Sequence, residues 1–164
     1  IRTIADAVGK PDAGEALVKR TQEQIDQAKK QIAAWKPAKP MRVAFLYVRG
    51  NAGVFFILGS ENGASELIQG VGADDVASDK GITTLVPANA ESLVSINPDA
   101  IFVMRDGLAS TGGMKGLLAR AGVANTTAGR KQRVISIPDG ISLSFGPQTG
   151  EVLTAVAKAL YGVK

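Results

Sequence analysis

The chain has 164 residues, enough for one domain with a substantial hydrophobic core, and no apolar run approaches the roughly 20 residues of a membrane span. It contains neither cysteine nor histidine, which excludes disulfides, thiolate metal sites, serine–histidine catalysis and the usual zinc sites within it. Lysine and arginine outnumber aspartate and glutamate by 19 to 15, but the excess forms no basic block, so we expect no nucleic-acid partner.

The N-terminal part contains two predicted helices and a linker. Apolar residues at helical spacing predict a short helix over residues 1–8, which Gly9 ends. A second helix is predicted over 12–35, and its length of roughly 35 Å suits either an amphipathic packing helix or a strut between lobes. Two prolines make 36–40 a linker. Because Ile1 already lies in a helical pattern and is not a methionine, we expect the chain to be part of a longer protein.

After the linker the pattern changes to alternating strands and helices. Strands are predicted over 41–48, 74–77, 100–104 and 133–137, and helices over 65–71, 89–96, 112–121 and 147–161. This alternation is typical of a three-layer, Rossmann-like α/β lobe with a mostly parallel sheet of about four strands. The commonest order, 2-1-3-4, places the first strand beside the third. The predicted division is a helical segment with its linker over 1–40 and an α/β ligand-binding lobe over 41–164.

The carboxyl ends of the first and third strands define the candidate site, because ligands of open parallel sheets bind where the strand order reverses. The residues there are Tyr47, Arg49, Gly50, Asn51, Met104, Arg105 and Asp106. Tyr47 and Arg49 lie two positions apart and therefore point to the same side of a strand. A guanidinium beside a tyrosine hydroxyl favours the phenolate, which is a hard donor for ferric iron and a haem axial ligand. The thioether of Met104 suits contact with a porphyrin.

A simpler interpretation stays open for each of these side chains. Tyr47 also fits a strand-end tyrosine with a hydrated hydroxyl, Arg49 a solvated charge, and Met104 an ordinary core residue. The glycine-rich stretch 50–53 follows a strand, but it lacks the spacing and the Lys-Ser/Thr ending of a phosphate-binding loop. The sequence offers the site no catalytic base, so we expect no enzymatic activity.

Five segments together resemble the haem-binding substrate-binding proteins of bacterial ABC importers. They are RVAFLYVRG at 42–50, SENGASELIQGVGA at 60–73, NAESLVSINPDAIFVM at 89–104, GLASTGGMKGLLARAGVANTTAG at 107–129 and FGPQTG at 145–150. The tyrosine-x-arginine-glycine segment and the glycine-rich stretch after the third strand are fairly specific to the haem branch. The helix before PDAI belongs to the wider class that also carries cobalamin and ferric siderophores.

This resemblance implies two α/β lobes joined by one long rigid helix, with the ligand in the cleft between them. The chain is then the C-terminal lobe, 12–35 is the interlobe helix, and the N-terminal lobe is a missing partner of the same protein. The implied activity is the capture of haem outside the cytoplasm, in a periplasm or from a lipid anchor at the outer face of the membrane, and its delivery to a membrane permease. Haem is the transported ligand, and a single lobe need not hold it alone.

The resemblance also implies roles for particular residues. Tyr47 matches the tyrosine that ligates iron, Arg49 matches its arginine partner, and Met104 matches a methionine that approaches the haem. The predicted haem-binding set is completed by Gly50, Asn51 and Arg105. The opposing ligand, often a histidine, comes from the first lobe in such proteins, which fits the absence of histidine from this chain.

An exposed acidic residue docks on permease arginines in the proteins that the chain resembles. Glu61 is the candidate by position, with Glu66 second, although an acidic charge at a helix N-terminus is the simpler interpretation of both. Two alternative functions stay open. One is a binding protein for cobalamin or a ferric siderophore, and the other is a flavodoxin-like enzyme or regulatory domain.

Overall fold

A computed structural model describes residues 1–50 and 53–163 of the chain. Its N-terminal part consists of helices α1 (Arg2–Ala7) and α2 (Pro11–Trp35). Pro11 occupies the first turn of α2, where its fixed φ and missing N–H cost nothing. Lys36 is extended because Pro37 follows it, and α2 ends there. With 25 residues, α2 is about 37 Å long.

Strands and helices alternate through the rest of the described chain. The first eight elements are β1 (Arg42–Arg49), β2 (Val54–Ile57), α3 (Ala64–Gly70), β3 (Asp74–Asp75), α4 (Val76–Asp79), β4 (Val86–Pro87), α5 (Ala90–Ile96) and β5 (Ala100–Met104). The remaining elements are α6 (Arg105–Ser110), α7 (Gly113–Leu118), α8 (Thr127–Arg130), β6 (Val134–Ile137), α9 (Asp139–Ser142) and α10 (Thr149–Tyr161). Single 3₁₀ turns lie at Ser60–Asn62 and Val123–Asn125.

The described strands form one mixed sheet, in which β1 is central. One edge of β1 pairs in parallel with β5, which pairs in parallel with β6. The other edge pairs in parallel with β3 near its start and antiparallel with β2 near its end. The strand path is therefore β4-β2-β1-β5-β6. This confirms the predicted α/β fold and the predicted order of the four parallel strands.

Two parts of the sheet differ from the prediction. The antiparallel strands β2 and β4 were not predicted, and they extend the sheet beyond four strands. The strand predicted over 74–77 keeps only Asp74–Asp75, because the carboxylate of Asp75 accepts a hydrogen bond of 3.0 Å from the N–H of Ala77 and starts α4.

The helices after β5 are also shorter than expected. The helix predicted over 112–121 is the six-residue α7, and the unpredicted α6 follows β5 without a loop. By contrast, the predicted cap of α5 is present, since Asn89 and Ser92 form a capping box.

The sheet separates two apolar layers, as the alternation of side chains along β1 and β5 requires. Phe45 and Phe102 face α2, α3 and α10, with their rings edge to face and their centroids 6.4 Å apart. Leu46 and Val103 lie in the opposite layer, towards α5 and α7. Within the described residues, no helix combines the length and the apolarity that a membrane crossing requires.

Candidate ligand-binding site

The carboxyl ends of β1 and β5 bring Tyr47 and Met104 side by side. The parallel register pairs Leu46 with Val103, so Tyr47 and Met104 are the next residues along the two strands. Both side chains are half-buried and pack against the layer that contains Phe45. Tyr47 and Met104 are thus neither sealed in the core nor fully hydrated, and this partial exposure suits side chains that meet a ligand at the edge of the sheet.

Arg49 joins this pair, as the predicted alternation along β1 requires. Its guanidinium carbon lies 5.2 Å from the centroid of the Tyr47 ring, within the range of a cation–π contact. Its Nη2 atom lies 3.6 Å from the sulfur of Met104. The structure therefore brings together the tyrosine, the arginine and the methionine that the sequence singled out.

Sequence reasoning missed Asp139, which follows β6 and binds Arg49 at the same carboxyl edge of the sheet. Nη2 of Arg49 donates a hydrogen bond of 2.6 Å to Oδ1 of Asp139 at the start of α9. The other carboxylate oxygen, Oδ2, accepts a hydrogen bond of 2.8 Å from the backbone N–H of Asp106 at the start of α6. A usable signal existed, because Asp139 follows β6 as Arg49 ends β1, and parallel strands end at one edge.

The ion pair shifts both of its members towards their charged forms. Burial works against the charge of Arg49, but the hydrogen bond and the attraction of Asp139 outweigh it and raise the pKa of Arg49. Burial likewise works against the carboxylate of Asp139. The backbone N–H of Asp106 and the guanidinium of Arg49 outweigh that effect and lower the pKa of Asp139.

The backbone N–H and carbonyl of Gly50 both form hydrogen bonds with side chains. Its N–H donates a hydrogen bond of 2.9 Å to the hydroxyl of Ser110, and its carbonyl accepts one from the guanidinium of Arg120. Its φ of 59° lies in the left-handed region that favours glycine. Arg120 is itself stacked on Phe55 of β2, with 5.2 Å between its guanidinium carbon and the ring centroid. The predicted site residue Asn51 lies outside the described residues.

Arg105 is separated from the other predicted residues. It begins α6, is exposed, and lines a cavity of about 240 Å³ between β6 and α10 together with Ile135 and Val156. Because Arg105 directly follows Met104, the side chains of these two neighbours point to different sides. The structure therefore groups Arg105 with the β6 edge and not with Tyr47.

Glu61 and Glu66 are both exposed, as surface docking requires. Glu61 lies in the turn Ser60–Asn62, where its backbone N–H donates a hydrogen bond of 2.8 Å to the carbonyl of Thr83. Glu66 lies in the first turn of α3 and lines a shallow cavity that Phe145 also lines.

The cluster formed by Tyr47, Arg49, Met104 and Asp139 has a definite chemical character. It offers one phenol oxygen, one thioether and one cation whose charge is balanced by a carboxylate. A single phenol donor fits a metal that arrives within its own planar chelate, because such a metal needs only an axial ligand. The apolar body of Met104 and the ring of Tyr47 fit the face of that chelate.

A family profile described as periplasmic binding protein matches residues 1–140. No curated protein matches the chain.

Three of the similar solved structures are described as haem-binding proteins. HmuT is 48% identical with a TM-score of 0.96, and the match covers 99% of this chain and 52% of HmuT. RhuT from Roseiflexus sp. RS-1 is 35% identical with a TM-score of 0.92, covering 98% of this chain and 60% of RhuT. BhuT, solved in complex with two haems, is 31% identical with a TM-score of 0.87, covering 98% of this chain and 60% of BhuT.

The chain thus spans between half and three-fifths of the length of these relatives. HmuT has also been solved with single alanine substitutions of a histidine, of a tyrosine, and of an arginine that lies two positions after that tyrosine.

Proposed function

The chain belongs to the periplasmic binding protein family, and we propose that it is the haem-binding C-terminal half of a substrate-binding protein that serves a bacterial ABC importer. The relatives at 48%, 35% and 31% identity are haem-binding proteins by description. In this proposal the chain binds and delivers a ligand and transforms nothing.

One observation carries the proposal: Tyr47, Arg49 and Met104 meet at the carboxyl edge of the sheet. The guanidinium of Arg49 lies 5.2 Å from the Tyr47 ring centroid and 3.6 Å from the Met104 sulfur. A phenolate is a hard anionic donor suited to ferric iron, and an adjacent cation favours the phenolate over the phenol. Tyr47 is therefore the proposed iron ligand, Arg49 its activating partner, and Met104 an apolar contact for the porphyrin.

The substituted forms of HmuT support this assignment. A tyrosine and an arginine two positions later were each replaced in that protein, and Tyr47 and Arg49 have the same spacing in a chain that is 48% identical. Gly50 and Asn51 follow directly in the sequence and belong to the same proposed site. Arg105, on the β6 side, is proposed to meet a negatively charged substituent at the rim of the ligand.

The remaining part of the site is proposed to come from a second lobe. The chain covers 52% of HmuT at a TM-score of 0.96, which leaves room in that relative for a further lobe of similar size. We propose that 1–40 contains the connection to this lobe, with α2 as the interlobe helix, and that 41–164 is the ligand-binding lobe. The second lobe then supplies the opposing iron ligand.

Delivery requires a partner in the membrane. We propose that the protein works outside the cytoplasm and docks on an ABC permease through Glu61 and Glu66, both of which are exposed. Exposed carboxylates are suited to contact with basic residues of a permease.

A titration separates haem from the other cargoes. Hemin, cobalamin and a ferric siderophore are added in parallel to the purified full-length protein, which contains both lobes, and absorption spectra are recorded. We expect hemin to give a shifted Soret band with a tyrosinate-to-iron charge-transfer band. The absorption spectra of cobalamin and of the siderophore should not change when the protein is present. Binding of cobalamin or of the siderophore with no response to hemin contradicts the proposal, as does a bound flavin in the purified protein.

A further inference from the structure

Asp139 occupies a position that the proposed haem chemistry does not yet use. Both of its carboxylate oxygens are bound: Oδ1 lies 2.6 Å from Nη2 of Arg49, and Oδ2 lies 2.8 Å from the backbone nitrogen of Asp106. The carboxylate therefore connects three elements, β1, α6 and α9. Only 23% of its side chain and 34% of the Arg49 side chain are exposed, so water screens the pair less than it screens a surface ion pair.

The other contacts of the Arg49 guanidinium are long. The carbonyl of Val48 lies 3.5 Å from Nη1, and the sulfur of Met104 lies 3.6 Å from Nη2, both at the limit of a hydrogen bond. A long arginine side chain with only such contacts keeps most of its rotamer freedom. Among the described residues, Asp139 thus makes the short contact that selects one orientation of the guanidinium.

Gly107 leaves the space that this orientation needs. A Cβ atom at Gly107 would lie 2.5 Å from Nη1 of Arg49 and 2.5 Å from the carbonyl oxygen of Val48. The Arg49 side chain therefore runs tightly against α6, whose first turn Asp139 also binds through the N–H of Asp106. The Arg49 guanidinium thus lies between the backbone of α6 and the carboxylate of Asp139.

We propose that Asp139 is a positioning residue for the ligand site: it holds Arg49 against Tyr47, so that the phenol oxygen keeps both its orientation and its cationic partner when iron arrives. This inference rests on the proposed function, because it assigns Asp139 to the haem chemistry of Tyr47. Asp139 touches neither ligand nor metal in this scheme and acts only through Arg49.

The test is a double-mutant cycle on hemin binding. Asp139→Ala should weaken hemin affinity about 10- to 100-fold, the usual effect of losing a group that orients a metal ligand, and should diminish the tyrosinate-to-iron band. In an Arg49→Ala background the same substitution should have no further effect, because a residue that acts through Arg49 has nothing left to position. An unchanged affinity in Asp139→Ala, or an additive loss in the double variant, overturns the inference.

Two further variants separate positioning from folding. Asp139→Asn keeps an oxygen for the Asp106 N–H but lacks the charge, so it should fold like the wild type and bind hemin with intermediate affinity. Wild-type affinity in this variant argues against the ion pair as the positioning contact. Asp79→Ala removes an exposed carboxylate of α4 and serves as the matched control, with unchanged hemin binding.

A ligand-free measurement keeps this inference distinct from the proposed function. In ¹⁵N–¹H spectra of arginine side chains, the Arg49 signal is identified as the one that is missing from the spectrum of the Arg49→Ala variant. It should be well resolved in the wild type and broadened or shifted in Asp139→Ala. If that signal does not respond, the positioning contact is refuted whatever hemin does. If it responds while the full-length wild type, with both lobes, fails to bind hemin, the haem function is refuted and the contact is retained.

Discussion

Gly107 and Arg49 lie so close that the missing side chain of one makes room for the other. The backbone of α6 passes the guanidinium at a distance where a single added methyl carbon would reach 2.5 Å from Nη1. No real Cβ contact is that short, so Arg49 or the helix has to move when any side chain is added here. The absence of a side chain at position 107 thus allows Arg49 to take its position in the candidate site.

Gly107→Ala should therefore displace Arg49 and weaken hemin binding, and it should lower the free energy of unfolding by about 1–3 kcal/mol, as overpacking does. The matched control is Gly140→Ala in α9, where an added Cβ has nothing within 4 Å. Chemical denaturation and hemin titration of both variants give the comparison. Equal behaviour of the two variants would contradict the close packing of Arg49 on α6.

The two tyrosines of the chain allow a matched test of the iron ligand. Tyr47→Phe removes only the proposed donor oxygen, so the tyrosinate-to-iron band should disappear. Hemin affinity should fall about 100-fold or more, because losing an iron ligand costs more than losing a group that only orients a ligand. Retention of the band in Tyr47→Phe excludes Tyr47 as the ligand.

Tyr161→Phe is the control, and its expected effect is on stability alone. The Tyr161 hydroxyl donates a hydrogen bond of 2.7 Å to the carbonyl of Val71. Burial is the main cause that raises the pKa of Tyr161, and the negative charge of Asp74 adds to it. Losing this half-buried bond should cost about 1 kcal/mol of unfolding free energy. Hemin spectra of this variant should match those of the wild type.

Asp139 should make the stability of the protein sensitive to acid. Its pKa is lower in the folded state than in the unfolded chain, so its contribution is complete above the unfolded value of about 4 and is lost as the pH falls through the folded value. The difference in unfolding free energy between the wild type and Asp139→Asn should therefore shrink as the pH is lowered from 6 to 3. Denaturation curves at a series of pH values test this, and a constant difference contradicts it.

Permease docking can be separated from ligand binding. Glu61→Ala in the exported protein should reduce haem uptake by cells, while hemin affinity of the purified protein stays the same. Glu91, an exposed glutamate in the first turn of α5, provides the control, and Glu91→Ala should leave uptake normal. Normal uptake with Glu61→Ala would show that Glu61 does not dock on the permease and is only an acidic charge at a helix end.

Much of the fold could be predicted because its main strands are long enough to carry a clear pattern. The apolar runs that became β1 and β5 have few alternatives to a buried parallel pair. The four-residue β2 and the two-residue β4 could not be predicted in this way, because strands that short show no periodicity and form by pairing with β1.

The candidate site divides along similar lines. Tyr47, Arg49 and Met104 were predicted to meet because they follow from side-chain alternation and from the shared edge of neighbouring strands. Asp139 was missed because its role depends on a contact with Arg49 across 90 positions of the chain. Its position after β6 does place Asp139 at this edge of the sheet. The sequence around it, Pro138-Asp139-Gly140, predicts a turn, however, and a turn does not reveal which charge its carboxylate will meet.

The end of β1 is paired with β2 as far as Arg49, and its pairing with β5 reaches the residue before Tyr47. Leu46 pairs with Val103 on one side, while Tyr47 and Arg49 pair with Phe56 and Val54 on the other. The backbone that carries the proposed iron ligand is therefore already in its final shape, and its conformational entropy was given up during folding. A ligand that arrives at this edge need not order the strand, so the full strength of each contact remains available for holding it.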